Sequence, residues 1–164
     1  MALLMTRKHI RASDYQALAE FRYHLRRFVH FSKEAARNAG IEPQHHQLML
    51  AIKGKPPGSE PPRIGYLAER LQIQHHSAVE LVDRLVRRGL ITRSRGDQDR
   101  REVYVQLTAR GERVLGELTV HTSAELRLAA PSLVATLRKL TARARTGVAS
   151  TRKRPRSVTA RRSS

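Results

Sequence analysis

The chain has no cysteine and no tryptophan, and only three phenylalanines and four tyrosines in 164 residues. Without cysteine there is no disulfide framework, no thiol redox switch and no thiolate-bound zinc. No apolar run approaches the roughly 20 residues of a membrane-spanning helix, and none has the make-up of a signal peptide. The expected location is therefore cytoplasmic, with no membrane partner. A phosphate-cradling glycine loop, a zinc-protease helix motif and an activated serine are all missing, so an enzyme is the class with least support and no cofactor is expected. Acidic residues are scarce: 14 Asp and Glu face 32 Lys and Arg, for a net charge of +18. None occurs after Glu125, where eleven basic residues follow, while the part up to Glu125 carries 21 basic and 14 acidic residues. A positive field of this size attracts polyanions, most simply nucleic acid. The length suits one domain with a modest core.

What the chain does have is concentrated between Ile64 and Thr108. Leu67, Ala68 and Leu71 have the spacing of one buried helical face. After a break at Gln72 and Ile73, a second helix is expected from about Gln74 to Arg88, with Ala78, Leu81, Val82 and Leu85 inward. Gly89 ends it as a C-terminal glycine. The outward face holds His75, His76, Ser77, Glu80, Arg84, Arg87 and Arg88, groups suited to base edges and phosphates. Two short helices joined this way are a helix-turn-helix. Leu90–Ser94 and Val103–Leu107 read as strands flanking a polar loop that contains Gly96, so a hairpin follows directly. A helix-turn-helix with an attached basic hairpin is a winged helix.

Several stretches resemble the MarR family of bacterial transcription regulators: Leu67-Ala68-Glu69-Arg70-Leu71, Val79 to Leu85, Arg88-Gly89-Leu90-Ile91, Asp99-Arg100-Arg101 and Leu107-Thr108-Ala109-Arg110-Gly111. The resemblance runs from about Tyr15 to Leu140. It implies a mostly α fold with a small antiparallel β wing, and N- and C-terminal helices that form a dimerisation region. A MarR-like domain is then expected over 13–142, with a reading core at 64–108 and dimerisation helices at 13–39 and 109–142.

The remaining segments fit that plan. Ser13 or Asp14 can cap a helix running to about Ala39 and closed by Gly40. Its apolar stripe is Leu18, Phe21, Leu25, Phe28 and Val29, with Tyr15 and Phe31 beside it, and the helix as a whole holds five of the seven aromatic residues. Such a stripe packs a core or a second copy of the chain. Pro43 opens a helix over Gln44 to Ile52, the proline-rich stretch 54–62 ends it, and Arg63-Ile64 are placed to add a short third strand. Thr108 can cap a helix to about Ala130, and Pro131 is expected to separate it from a last helix carrying Leu133, Leu137 and Leu140. Residues 143–164 have nothing to bury and read as a basic disordered tail.

The helix after the turn is expected to enter the DNA major groove, with His75, His76 and Ser77 as first readers and Glu80 and Arg84 one turn on. The bland alternative is a solvated face in which Glu80–Arg84 and Asp83–Arg87 are ordinary i,i+4 pairs. In the wing, the resemblance implies that Arg101 enters the minor groove, braced by Asp99. Arg87, Arg88, Arg95 and Arg100 would hold flanking phosphates. Adjacent histidines on a helix point about 100° apart and form no i,i+4 chelate, so no metal is expected. His24, His30, His45 and His46 are instead candidates for an effector pocket. The expectation is a homodimeric, sequence-specific regulator of double-stranded DNA, a repressor at a palindromic site that a small effector relieves. The alternative is a low-specificity nucleoid or RNA-binding protein dominated by its tail.

Overall fold

Helical apolar periodicity and two β-branched runs account for the elements of the computed structural model, which describes residues 10–95 and 102–146, with side chains to Thr141. The order is α1 (Ala12–Asn38), α2 (Pro43–Lys53), α3 (Ile64–Leu71), α4 (His75–Arg87), β1 (Ile91–Arg95), β2 (Val103–Leu107) and α5 (Ala109–Thr146). This is the mostly helical winged-helix architecture that the sequence predicts.

The chain divides into two compact units, residues 26–129 and the two terminal segments up to Leu25 and from Ala130. The first contains the core. Leu48, Met49 and Ile52 of α2, Leu67 of α3, Leu81, Val82 and Leu85 of α4, Ile91 and Val105 of the hairpin, and Leu115 and Leu118 of α5 form one buried cluster. The second unit is helical and keeps large apolar side chains in solvent: Tyr15, Leu18, Tyr23 and Leu25 on α1, Val134 and Leu137 on α5. The expected α1 stripe is thus not core; Leu18, Leu25 and Val29 are exposed, and the residues α1 buries are Ala17, Ser32 and Ala36.

Helix ends follow from backbone chemistry. The first helix starts at Ala12, earlier than a cap at Ser13 or Asp14 would allow, because Asp14 reaches back from the first turn and accepts the Arg11 N–H at 3.0 Å. That is the carboxylate half of a capping box. Gly89, at φ +67°, closes α4. Its N–H bonds to the Val86 carbonyl and the Leu90 N–H to the Leu85 carbonyl, the paired bonds of a Schellman turn. The same pairing closes α1 at Gly40, and it closes α3 at Gln72, a non-glycine residue at φ 54°.

Pro131 does not separate two helices; it lies inside α5. Proline's fixed φ of about −65° is itself helical, so the cost is one missing N–H and crowding at the carbonyl four residues back. At the other end of α5, Thr108 is the cap: its Oγ1 accepts the Gly111 N–H at 3.0 Å and donates to the Gly89 carbonyl at 2.8 Å. Gly111 is required there, because a Cβ would lie 2.0 Å from the Leu90 carbonyl oxygen.

Candidate nucleic-acid interface

Helix α4 is amphipathic in the sense its sequence demands. Ala78, Leu81, Val82 and Leu85 are buried, while His75, His76, Glu80, Arg84, Arg87 and Arg88 are exposed and Ser77 is half-buried. Gln74 occupies the N-cap in an extended conformation, with no side-chain cap bond. The first-turn N–H groups of α4, beside His75, His76 and Ser77, thus have no side-chain cap from Gln74, and a helix N-terminus favours an anion.

Not every expected contact is equally available. Arg84 lies 3.7 Å from Glu80, the expected i,i+4 pair. Asp83 pairs with Arg93 of β1 at 2.5 Å, rather than with Arg87. Arg93 also donates to the Val79 carbonyl at 3.4 Å, so β1 is pinned to α4. Arg88 donates to the Gly40 carbonyl at 2.7 Å, which ties the end of α4 to the end of α1. Part of its donor capacity is thus committed within the fold. Arg95 is exposed at the end of β1. Asp99, Arg100 and Arg101 lie outside the described residues.

The hairpin is antiparallel, with Ile91 opposite Leu107 and Arg95 opposite Val103. Alternation places Ile91, Arg93, Val105 and Leu107 on one face, and Tyr104 on the other. The third strand expected at Arg63-Ile64 is a single bridge, Arg63 to Tyr104, because Ile64 already begins α3. The Val105 N–H reaches the Pro62 carbonyl at 3.0 Å. Around the bridge, Arg63 meets Glu102 at 2.6 Å and Glu60 at 3.7 Å, with its guanidinium 5.4 Å from the Tyr104 ring centre. The Tyr104 hydroxyl accepts from Arg63 at 3.2 Å and donates to Glu102 at 2.8 Å. That bond to Glu102 holds the phenol protonated above its ordinary range. Sequence reasoning missed this cluster, since Arg63 lies 41 residues before Tyr104 in the chain.

The four candidate effector histidines do not share one environment. His24 belongs to the terminal unit, 3.9 Å from Glu20 and edge-on to Tyr23. His30 is exposed. His45 and His46 are only 4 % and 1 % exposed, and both ring nitrogens of His45 and Nε2 of His46 lack a partner. Burial lowers the pKa of both; for His45 the nearby Arg88 and Arg84 lower it further and Glu42 opposes them. His45 lines a cavity of about 410 Å³ with Lys33, Arg37, Glu42, Leu81 and Arg84, between α1, α2 and α4. His46 lines a second of about 230 Å³ with Phe28, Val29, Ser32 and Gln47.

Comparison with known proteins agrees with this geometry. Residues 39–102 match the model of the MarR family. No curated protein matches the chain. Among solved structures, AbsC, a MarR family transcriptional regulator from Streptomyces coelicolor, superposes with a TM-score of 0.65 at 16% identity, covering 85% of this chain and 97% of AbsC. Apo MarR from E. coli gives 0.61 at 18% identity, over 82% of this chain and 96% of that one. CouR from Rhodococcus jostii RHA1, solved bound to p-coumaroyl-CoA, gives 0.58 at 17% identity, over 78% and 87%. Residues 39–102 therefore carry the MarR-family signature, and they do so within a chain that has the MarR winged-helix fold.

Proposed function

We infer that the protein is a homodimeric, sequence-specific DNA-binding transcription regulator. The observation that carries this reading is the face of α4: its apolar side is buried, and His75, His76, Glu80 and Arg84 project into solvent beside a hairpin pinned to the same helix. Base readout falls to these residues and Ser77, and phosphate contact to Arg87, Arg88, Arg95 and Arg100. Arg101, braced by Asp99, takes the minor groove, where a narrow width concentrates negative potential.

Exposed apolar side chains on α1 and α5 support dimerisation through the terminal helices. A two-fold dimer presents two reading helices about 34 Å apart, matched to a rough palindrome. Repression follows from occupying a promoter. Relief requires an effector with different affinity for two dimer geometries. The cavity that His45 lines is the place for it, because Arg84 belongs both to that cavity and to the reading face.

A second reading, charge-dominated binding with little specificity, is favoured by the eleven cations that follow Glu125. One experiment separates the two. A duplex is selected from a random pool by the full chain, and its affinity is compared with that of mixed DNA, before and after removal of residues 144–164. A regulator loses affinity for both duplexes but keeps its preference. The charge-dominated protein keeps no preference once the segment is gone. Within the first outcome, His75→Ala with Arg84→Ala should erase about 2–4 kcal/mol of discrimination, the worth of one or two base contacts.

A further inference from the structure

We propose that Arg63, at the head of α3, is a positioning residue that aims the wing relative to the reading helix, acting through Glu102 and Tyr104 of the hairpin. The inference rests on the DNA-binding reading above and assigns a role to residues outside the expected contact surface.

A two-stranded hairpin is marginally stable by itself, so its direction must come from what holds it. The first strand is held by Arg93, through Asp83 and the Val79 carbonyl. The second is gripped at Tyr104, one residue from the Arg95–Val103 pair that ends the sheet. That pair lies four residues, about 14 Å, from the root pair Ile91–Leu107. A swing of ~10° about the root alone displaces it by ~2–3 Å, more than a hydrogen bond tolerates. The grip at Tyr104 removes this lever arm. Arg63 is also the N-cap residue of α3, so the hairpin and the helix-turn-helix are referred to one point.

The chemistry suits positioning better than direct contact. The guanidinium already meets two carboxylates and a phenol, and it lies over the Tyr104 ring. A planar fork with this set of partners fixes orientation as well as distance, which an ammonium does not. Exposed ion pairs add little to folding stability. Loss of the cluster should therefore leave the fold intact while changing where the wing points.

The test uses the full chain and the duplex selected above, in two backgrounds: the parent, and a wing-neutralised Arg95→Ala/Arg101→Ala variant. In the parent, Arg63→Ala and Glu102→Gln should each weaken binding by about tenfold or more, and Arg63→Lys should not restore it; in the neutralised background each should cost less than about twofold. Glu102→Gln is the sharpest arm. Removing a carboxylate beside a polyanion tightens binding by simple charge, whereas a positioning role makes it weaker. Thermal unfolding followed by circular dichroism confirms that each variant folds. The inference is overturned if Glu102→Gln tightens binding, or if Arg63→Ala costs the same in both backgrounds, as a direct phosphate contact would. Should the neutralised variant bind like the parent, the wing contact on which this inference rests fails, and that is visible without any change at Arg63.

Discussion

A single glycine shows how closely the reading core is fitted to its neighbours. In the first turn of a helix, glycine is normally a liability, and replacement by alanine gains about 0.5–1 kcal/mol. At Gly111 the sign reverses, because the new Cβ would meet the Leu90 carbonyl oxygen at 2.0 Å, with backbone on both sides. Gly111→Ala is expected to destabilise by about 2–3 kcal/mol, read as a lower urea midpoint at unchanged m-value. The buried histidines make a second expectation at this scale. The native state holds His45 and His46 neutral, with pKa values below 6.5, while the unfolded chain binds protons as the pH falls through that value. Their neutral burial therefore favours folding fully above pH 6.5, and the benefit is lost as pH drops toward the lowered native values. Each histidine can contribute a slope of up to about 1.4 kcal/mol per pH unit. His46→Leu, at a site 1 % exposed, should flatten the decline between pH 7 and 5.5. An unchanged pH profile would show that His46 is not among the groups responsible.

At the scale of elements, the parts legible from sequence are those in which one local rule decides. The limits of α3 were readable because Leu67, Ala68 and Leu71 mark a face, and the end of α4 because Gly89 takes a positive φ that other residues avoid. Thr108 is readable as a cap, and Gly111 ends the Leu107–Gly111 stretch that carries the family resemblance, although its close approach to Leu90 is visible only in three dimensions. Where two rules compete, sequence alone misleads. Proline normally breaks helices, yet Pro131 is retained within α5. Asp83 has Arg87 at the favoured i,i+4 spacing, yet pairs with Arg93, which the hairpin brings across α4. The α1 stripe has the periodicity of a buried face, but periodicity does not say whether the same chain or another covers it. Likewise, nothing local distinguishes Arg63 from the other arginines. Its role depends on strand pairing across 41 residues.

For the molecule as a whole, charge and exposed apolar surface pull in different directions. Tyr15, Leu18, Tyr23 and Leu25 on α1 are between 45% and 63% exposed, and burying each more fully against a second copy contributes on the order of 1 kcal/mol. Opposing this, two chains of net charge +18 repel each other at low ionic strength. Salt screens that repulsion, with a Debye length falling from ~10 Å at 0.1 M to ~3 Å at 1 M. It also competes with Lys and Arg for phosphates, so DNA affinity falls steeply with salt. Dimerisation and DNA binding should thus respond to salt with opposite signs. Sedimentation equilibrium between about 50 and 300 mM salt should show the dimer tightening, while anisotropy with the selected duplex shows binding weakening by about 10³-fold or more. Leu18→Glu with Leu25→Glu should abolish the first trend, leaving a particle of one 18.6 kDa chain. The cluster of buried side chains over residues 36–118 lies outside the terminal segments, so the reading core of that monomer should stay folded. Such a monomer should bind a single half-site as the parent does, yet gain nothing from a palindrome, because the advantage of two linked half-sites belongs to the dimer alone. If the monomer still prefers the palindrome, the terminal helices are not what joins the two reading units.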